Sequence, residues 1–383
     1  MKAKFNHTKP RYLFNAQRVL CVIGATVITF FSIGQSDPAT SRSIRSYQLS
    51  LHTGFIFAHS QDVQNTRGAR PKGIELSMTW QKNDERTWNL CNCFPQHGLM
   101  VAYYAFDNAV LGRGLQMAYI LEPWYKVNNN NFASLKSAAG VAYLSNPFDP
   151  VKNPANRSYS TTFSAYLFVG LGWWHRITDA FWVAPHVQYQ HTSNGGLVAP
   201  NKGINWPTAS VTLSYRPKPS PLKTFPRSAW QGGKNIRWDF GIFGIANKEG
   251  GKPDGKSDRF LVAGTLLQNV RQVGRISNVS AGIEFNYDGK LGSKMQRDEV
   301  PGEPLHLGIL AGHEFILGRF LFSQRLGFYL YQAGNYFTPF YHRWGLTYRF
   351  NPHWAAGINL KAHGAEADYA DVRIVYSLTK SGS

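Results

Sequence analysis

The stretch FWVAPHVQYQHTSN, residues 181–194, decides how this chain folds. One parity holds Trp182, Ala184, His186, Gln188 and Gln190; the other holds Phe181, Val183, Pro185, Val187, Tyr189, His191 and Ser193. A helix would group residues three and four apart, whereas here the character changes at every step, which is the period of a strand. The second set is apolar until its last two members. The same style recurs along the chain. Tyr47, Leu49, Leu51, Phe55 and Phe57 share a parity, as do Ile74, Leu76, Met78 and Trp80. Val279, Ala281, Ile283, Phe285 and Tyr287 alternate with Asn278, Ser280, Glu284 and Asn286. Leu305, Leu307, Ile309 and Ala311 continue it, and so do Val372, Ile374, Tyr376 and Leu378.

Segments of about ten residues, alternating and separated by turns, are the signature of transmembrane β-barrel strands. No 20-residue apolar span follows the N-terminal region, and the mean hydropathy is below zero, which excludes a helical membrane protein. A soluble β-sandwich also alternates, but it has no use for so many strands with an apolar outer face. The expected class is therefore all-β, an antiparallel transmembrane outer-membrane β-barrel of about 16 strands. About eight lie between residues 46 and 216 and about eight more between 234 and 378. The proline-rich run RPKPSPLKTFPRSAWQGGK separates them, with residues 217–233 read as an extended linker. Ala209, Val211, Leu213 and Tyr215 are echoed by Ala370, Val372, Ile374 and Tyr376, a mark of duplication or of one packing problem solved twice. A single large barrel is preferred to two tandem eight-stranded ones.

The N-terminal residues 1–35 read as a signal peptide. Lys2, Lys4, Lys9, Arg11 and Arg18 precede the apolar run VLCVIGATVITFFSIG, with small and polar residues after it. Cys21 stands at the start of that run, not its end, so a lipid-modified N-terminus is not expected. Without these five basic residues the formal charge falls from +19 to +14. A basic exported chain suits anionic partners such as phosphorylated lipid head groups. Nucleic acid is not expected, because the charges are scattered and no binding signature is present. Cys91 and Cys93 read as loop residues: oxidation would close a very tight ring, and no paired histidines complete a metal site.

In a barrel the apolar parity faces lipid and the polar parity faces the lumen. His191 and Ser193 therefore extend a lipid-facing stripe. On the returning strand, INWPTASVTLSYR, the stripe Pro207, Ala209, Val211, Leu213 and Tyr215 has Asn205 at its polar end, and hairpin pairing can bring it beside His191. If the chain starts in the periplasm, the 195–203 loop is extracellular and the three groups lie at the outer-leaflet boundary. The combination suits acyl transfer. Serine needs an imidazole base, and the imidazole needs a third group to hold its tautomer. The catalytic candidates are Ser193, His191 and Asn205. Asn194, Gly195 and Gly196 are candidates for binding the oxyanion or positioning substrate. No metal and no cofactor is required.

The run HTSNGGLVAPNKGINWP resembles the site hairpin of the lipid A 3-O-deacylases, also called acyloxyacyl hydrolases. The pattern His-x-Ser-Asn-Gly/Ala-Gly, then Pro-Asn-x-Gly-Ile, is matched by His191, Ser193, Asn194, Gly195, Gly196, Pro200, Asn201, Gly203 and Ile204. The resemblance implies an outer-membrane barrel that removes an ester-linked acyl chain from lipid A with a serine and a histidine on its outer wall. It covers residues 46–216, and the second half is an addition to the small members. Those members carry glutamate where this chain has Asn205, which leaves the imidazolium less stabilised. Outer-membrane phospholipase A resembles YQHTSNG and uses asparagine as its third member. Its calcium and flanking motifs are absent, with Gly196 where a basic residue is expected. The expectation is lipid A as substrate, with phospholipid as the alternative. A non-catalytic porin-like barrel, its lumen lined by Gln188, Gln190, Asn278 and Glu284, is the other alternative. Oligomeric state cannot be read.

Overall fold

The computed structural model describes residues 43–227, 230, 236–248, 259–364 and 366–380. The expected signal peptide lies outside the described residues, as does part of the linker.

The first eight strands are β1 (Ile44–Gly54), β2 (Lys72–Gln81), β3 (Phe94–Ala105), β4 (Arg113–Lys126), β5 (Asn131–Leu144), β6 (Phe163–Arg176), β7 (Phe181–Ser193) and β8 (Ile204–Tyr215). The other eight are β9 (Ile236–Lys248), β10 (Arg259–Gly274), β11 (Ser277–Asp288), β12 (Leu305–Leu317), β13 (Phe320–Gln332), β14 (Phe340–Arg349), β15 (Trp354–His363) and β16 (Glu366–Lys380). Among the described residues two short α-helices interrupt the connections, α1 (Glu85–Cys91) and α2 (Gly289–Arg297), each begun by an aspartate whose side chain accepts from backbone N–H in the first turn.

Sixteen strands do not make one cylinder. They close as two barrels of eight, each an antiparallel meander. β8 returns to β1, with Leu213 opposite Leu49 and Tyr215 opposite Tyr47. β16 returns to β9, with Ile374 opposite Ile242 and Tyr376 opposite Phe240. The preference for a single barrel is thus corrected. Pro217, Pro219, Pro221 and Pro226 follow β8 directly and have no N–H to give a ninth strand. The repeated Ala-x-Val-x-aliphatic-x-Tyr run belongs to the two closing strands, so its echo marked two closures.

Alternation is kept nearly throughout. Leu51, Leu76, Leu171, Val187, Ile242, Leu326 and Ile358 are each about 60% exposed, an apolar outer belt of the kind transmembrane barrels carry. The inward parity is polar and closely packed, as expected when eight strands leave room only for side chains. In the first barrel Glu75 accepts from Lys136 at 2.7 Å, and Glu122 is met by Ser134, Trp174 and His186. At one end Trp124 stacks on Trp174 at 4.4 Å, and the Arg216 guanidinium lies 4.3 Å above Trp182. In the second barrel Arg343 binds Glu284 and Asp371, while Glu314 binds Arg237 and Arg325. Removing one partner of such a buried pair costs on the order of 3–5 kcal/mol, because the other charge is stranded.

The Cys91 and Cys93 thiols, expected to be plain loop residues, are joined in a disulfide between α1 and β3. The barrels touch at both ends. Arg275, in the β10–β11 turn, donates to the Asn89 carbonyl of α1 at 3.0 Å. At the other end the Ala370 N–H of β16 donates to the Gly195 carbonyl at 3.3 Å.

Candidate active site on the outer wall of the first barrel

β7 and β8 pair without a bulge, and this register sets His191 directly opposite Asn205. Both lie on the outward parity, at the end of the barrel where the 194–203 loop joins the two strands. Behind them the lumen is braced. Gln190 donates to Tyr104 Oη at 2.8 Å and accepts from Tyr166 Oη at 2.6 Å, while Trp206 packs against both tyrosine rings. The wall that carries the site is therefore rigid.

The Ser193 hydroxyl donates to His191 Nε2 at 3.0 Å, and His191 Nδ1 donates to Asn205 Oδ1 at 2.6 Å. The three sequence-predicted catalytic residues form one hydrogen-bonded line. Ser193 and Asn205 are each only 7% exposed, so the serine sits in a recess of the outer wall, not on open surface. A dry recess strengthens every charge interaction within it.

The loop is built by its own side chains. Asn194 Oδ1 accepts from Gly196 N at 3.0 Å, and its Nδ2 donates to the Val198 carbonyl at 2.8 Å and to Ser160 Oγ at 3.3 Å. Asn201 Oδ1 accepts from Asn194 N at 3.0 Å. Asn194 and the Gly196 N–H are thus committed to holding the turn. Of the three oxyanion candidates, Gly195 keeps its N–H aimed at Ser193 Oγ, 3.5 Å away.

Gly195, Gly196 and Gly203 all have φ between +67° and +82°, a region other residues enter only with strain. Gly203 has a second reason. A Cβ there would stand 2.8 Å from His191 Cε1, so only glycine leaves the imidazole its place. The 145–162 loop supports this turn from outside: Arg157 and Ser158 carbonyls accept from Lys202 N and Gly203 N, and Ser160 Oγ donates to the Val198 carbonyl. Tyr159 anchors that loop by donating to the Leu111 carbonyl at 2.7 Å. Burial pushes its phenol up, which keeps the proton on the donor.

One contact was missed in the sequence. Asn205 Nδ2 donates to His59 Nδ1 at 2.9 Å. The signal was present, since His59 prolongs the parity of Phe55 and Phe57. Its use depended on closure at eight strands, which makes β1 the neighbour of β8.

Comparison with known proteins gives a match on each barrel. Residues 72–216 match the family model for lipid A 3-O-deacylase, and residues 236–380 match that for the acyloxyacyl hydrolase C-terminal domain. No curated protein matches the chain. Among solved structures, a deletion mutant of the TodX monoaromatic hydrocarbon channel is 10% identical, covering 90% of this chain and 91% of that one, with a TM-score of 0.20. A mutant of the Rh. blastica porin is 10% identical over 88% of this chain and 100% of its own, with a TM-score of 0.17. Likeness that slight carries no argument about function. With one family model on each barrel, the chain belongs to the lipid A 3-O-deacylase (acyloxyacyl hydrolase) family.

Proposed function

We propose that this protein is an outer-membrane serine esterase that removes an ester-linked acyl chain from lipid A in the outer leaflet. The observation that carries the reading is the unbroken line from Ser193 through His191 to Asn205, at 3.0 and 2.6 Å, on the outward parity. The outer wall is where an acyl ester of a membrane lipid can reach a nucleophile without leaving the bilayer.

The chemistry follows from the bonds. His191 Nε2 takes the Ser193 proton as Oγ attacks the ester carbonyl. The Gly195 N–H, 3.5 Å from Ser193 Oγ, is the donor we assign to the substrate oxygen that gains the negative charge. On collapse, His191 returns the proton to the leaving sugar alkoxide, which departs as an alcohol. Water, deprotonated by the same imidazole, then attacks the acyl-serine; on collapse the bond to Oγ breaks, His191 returns the proton to Ser193 Oγ, and the fatty acid leaves. Asn205 accepts from Nδ1–H throughout and so keeps the lone pair on Nε2. Its neutral oxygen stabilises imidazolium less than a carboxylate would.

Mass spectrometry of lipid A from cells with and without the protein tests this. Loss of one ester-linked chain is expected, and it should vanish with Ser193→Ala. Unchanged lipid A and unchanged phospholipid would overturn the reading. Because the third member is asparagine, phospholipid is the second substrate to assay; loss of phospholipid acyl chains alone would move the activity there. The porin-like alternative has little in its favour, since both lumens are crossed by ion pairs and aromatic side chains. Planar-bilayer recording should find no open-channel conductance.

A further inference from the structure

We infer that His59 is a positioning residue that keeps the Asn205 carboxamide the right way round. This rests on Ser193, His191 and Asn205 being the catalytic set. A carboxylate at position 205 would offer an oxygen to His191 in either orientation. A carboxamide has an acceptor end and a donor end of almost the same shape. Turned over, Asn205 would face His191 Nδ1 with its NH₂. Nδ1 would then have to hold the lone pair and Nε2 the proton. An Nε2–H pointing at Ser193 is a donor, and the serine would lose its base. An asparagine in this role therefore needs a partner that distinguishes nitrogen from oxygen.

His59 is built to be that partner. Its Nδ1 takes the Asn205 Nδ2 proton at 2.9 Å, which leaves Oδ1 for His191 at 2.6 Å. The tautomers are linked: an acceptor at His59 Nδ1 requires a donor at Asn205 Nδ2 and a proton at His191 Nδ1. The ring is also fixed in place. Phe57 N donates to the Asn205 carbonyl at 2.9 Å, which locks the chain two residues before His59 onto β8. Phe57 stacks on His59 with centroids 6.4 Å apart and planes 25° apart. Gln64 Nε2 donates to the Ala58 and Ser60 carbonyls at 3.2 and 3.1 Å and so clasps the backbone on either side. His59 Nε2 is buried with no hydrogen-bond partner among the described residues. With no acceptor-demanding partner on Nε2, the ring keeps the Nε2–H tautomer that a neutral histidine side chain intrinsically favours, which leaves Nδ1 as the acceptor.

The test uses the full-length chain refolded in detergent micelles. Two readouts are taken: the rate of Ser193 labelling by a fluorophosphonate, and kcat and KM on a p-nitrophenyl ester of a medium-chain acid. His59→Ala should lower labelling and kcat by about tenfold to a hundredfold with KM little changed, the effect of a base in the wrong tautomer. In an Asn205→Asp background the same change should matter by less than about threefold, because the carboxylate needs no orienting. His59→Gln, whose Oε1 can accept from Asn205, should recover most of the wild-type rate. Equal losses from His59→Ala in both backgrounds, or no loss in the wild type, would overturn the inference and leave the esterase standing. Should Asn205→Asp itself be inactive, His59→Gln decides: recovery supports the role, and a loss as deep as alanine's refutes it. A wild type that does not label at Ser193 sinks the catalytic reading and this inference with it.

Discussion

The two barrels end in hairpins that start from the same design and finish differently. In the first, β7 and β8 stay in register to the rim, and the outward parity that carries Val187 and Tyr189 carries His191 too. In the second, β15 and β16 slip. Lys361 lies opposite Tyr369 but Ala362 lies opposite Ala367, so Asp368 has no partner across the ladder. His363, opposite Glu366, accepts from Tyr329 Oη at 3.0 Å and stacks on Phe337 at 4.4 Å among the buried side chains. Residues 194–203 separate β7 from β8, whereas β15 ends at His363 and β16 begins at Glu366. Histidine at a strand end is thus not a site in itself. Parity decides which side of the wall it serves, and a ten-residue loop supplies the surroundings of Ser193.

This contrast can be broken by mutation. The deepest effect should come from Ser193→Ala, at least about 10⁴-fold in fatty-acid release, with the barrel intact by its heat-modifiable gel mobility. Next is a matched pair of glycines. Gly203→Ala places a Cβ 2.8 Å from the His191 ring at a φ of +78°, and turnover should fall by about a hundredfold. Gly364→Ala, at a φ of +58° with nothing within 4 Å, should leave turnover unchanged; an equal loss from both would mean that the hairpins are not functionally distinct. Ala370→Leu should give the mildest change, a few-fold in kcat, by crowding Gly195 from the second barrel's wall. His363→Ala should alter no rate at all, and a measurable loss would mean that the second hairpin takes part in the reaction.

Much of the fold was legible because period two is hard to mistake. The outward stripes of β1, β2, β7, β8, β11 and β16 can be read directly from the sequence, and the parity argument that set His191 and Asn205 side by side needs only β7 and β8. Barrel count was not legible in that way. Alternation describes each strand's two faces, and it is equally satisfied by one wide cylinder or two narrow ones. What distinguishes them is lumen volume. Trp124, Trp174, Arg216 and Arg343 fill narrow interiors, and their bulk on the inward parity was the available clue. The same choice hid His59, since β1 and β8 are neighbours only when eight strands close. Asn194 escaped for another reason: an amide beside a nucleophile suits an oxyanion donor or a turn staple, and only the loop's path separates the two.

The Ala370-to-Gly195 and Arg275-to-Asn89 bonds, at 3.3 and 3.0 Å, would be slight attractions between two separate polypeptides. Joined through the segment between Tyr215 and Ile236, the barrels meet at an effective concentration in the millimolar range. Covalent tandem thus turns a fleeting encounter into a standing neighbour, and the loop that holds the Gly195 amide keeps its brace however dilute the protein is.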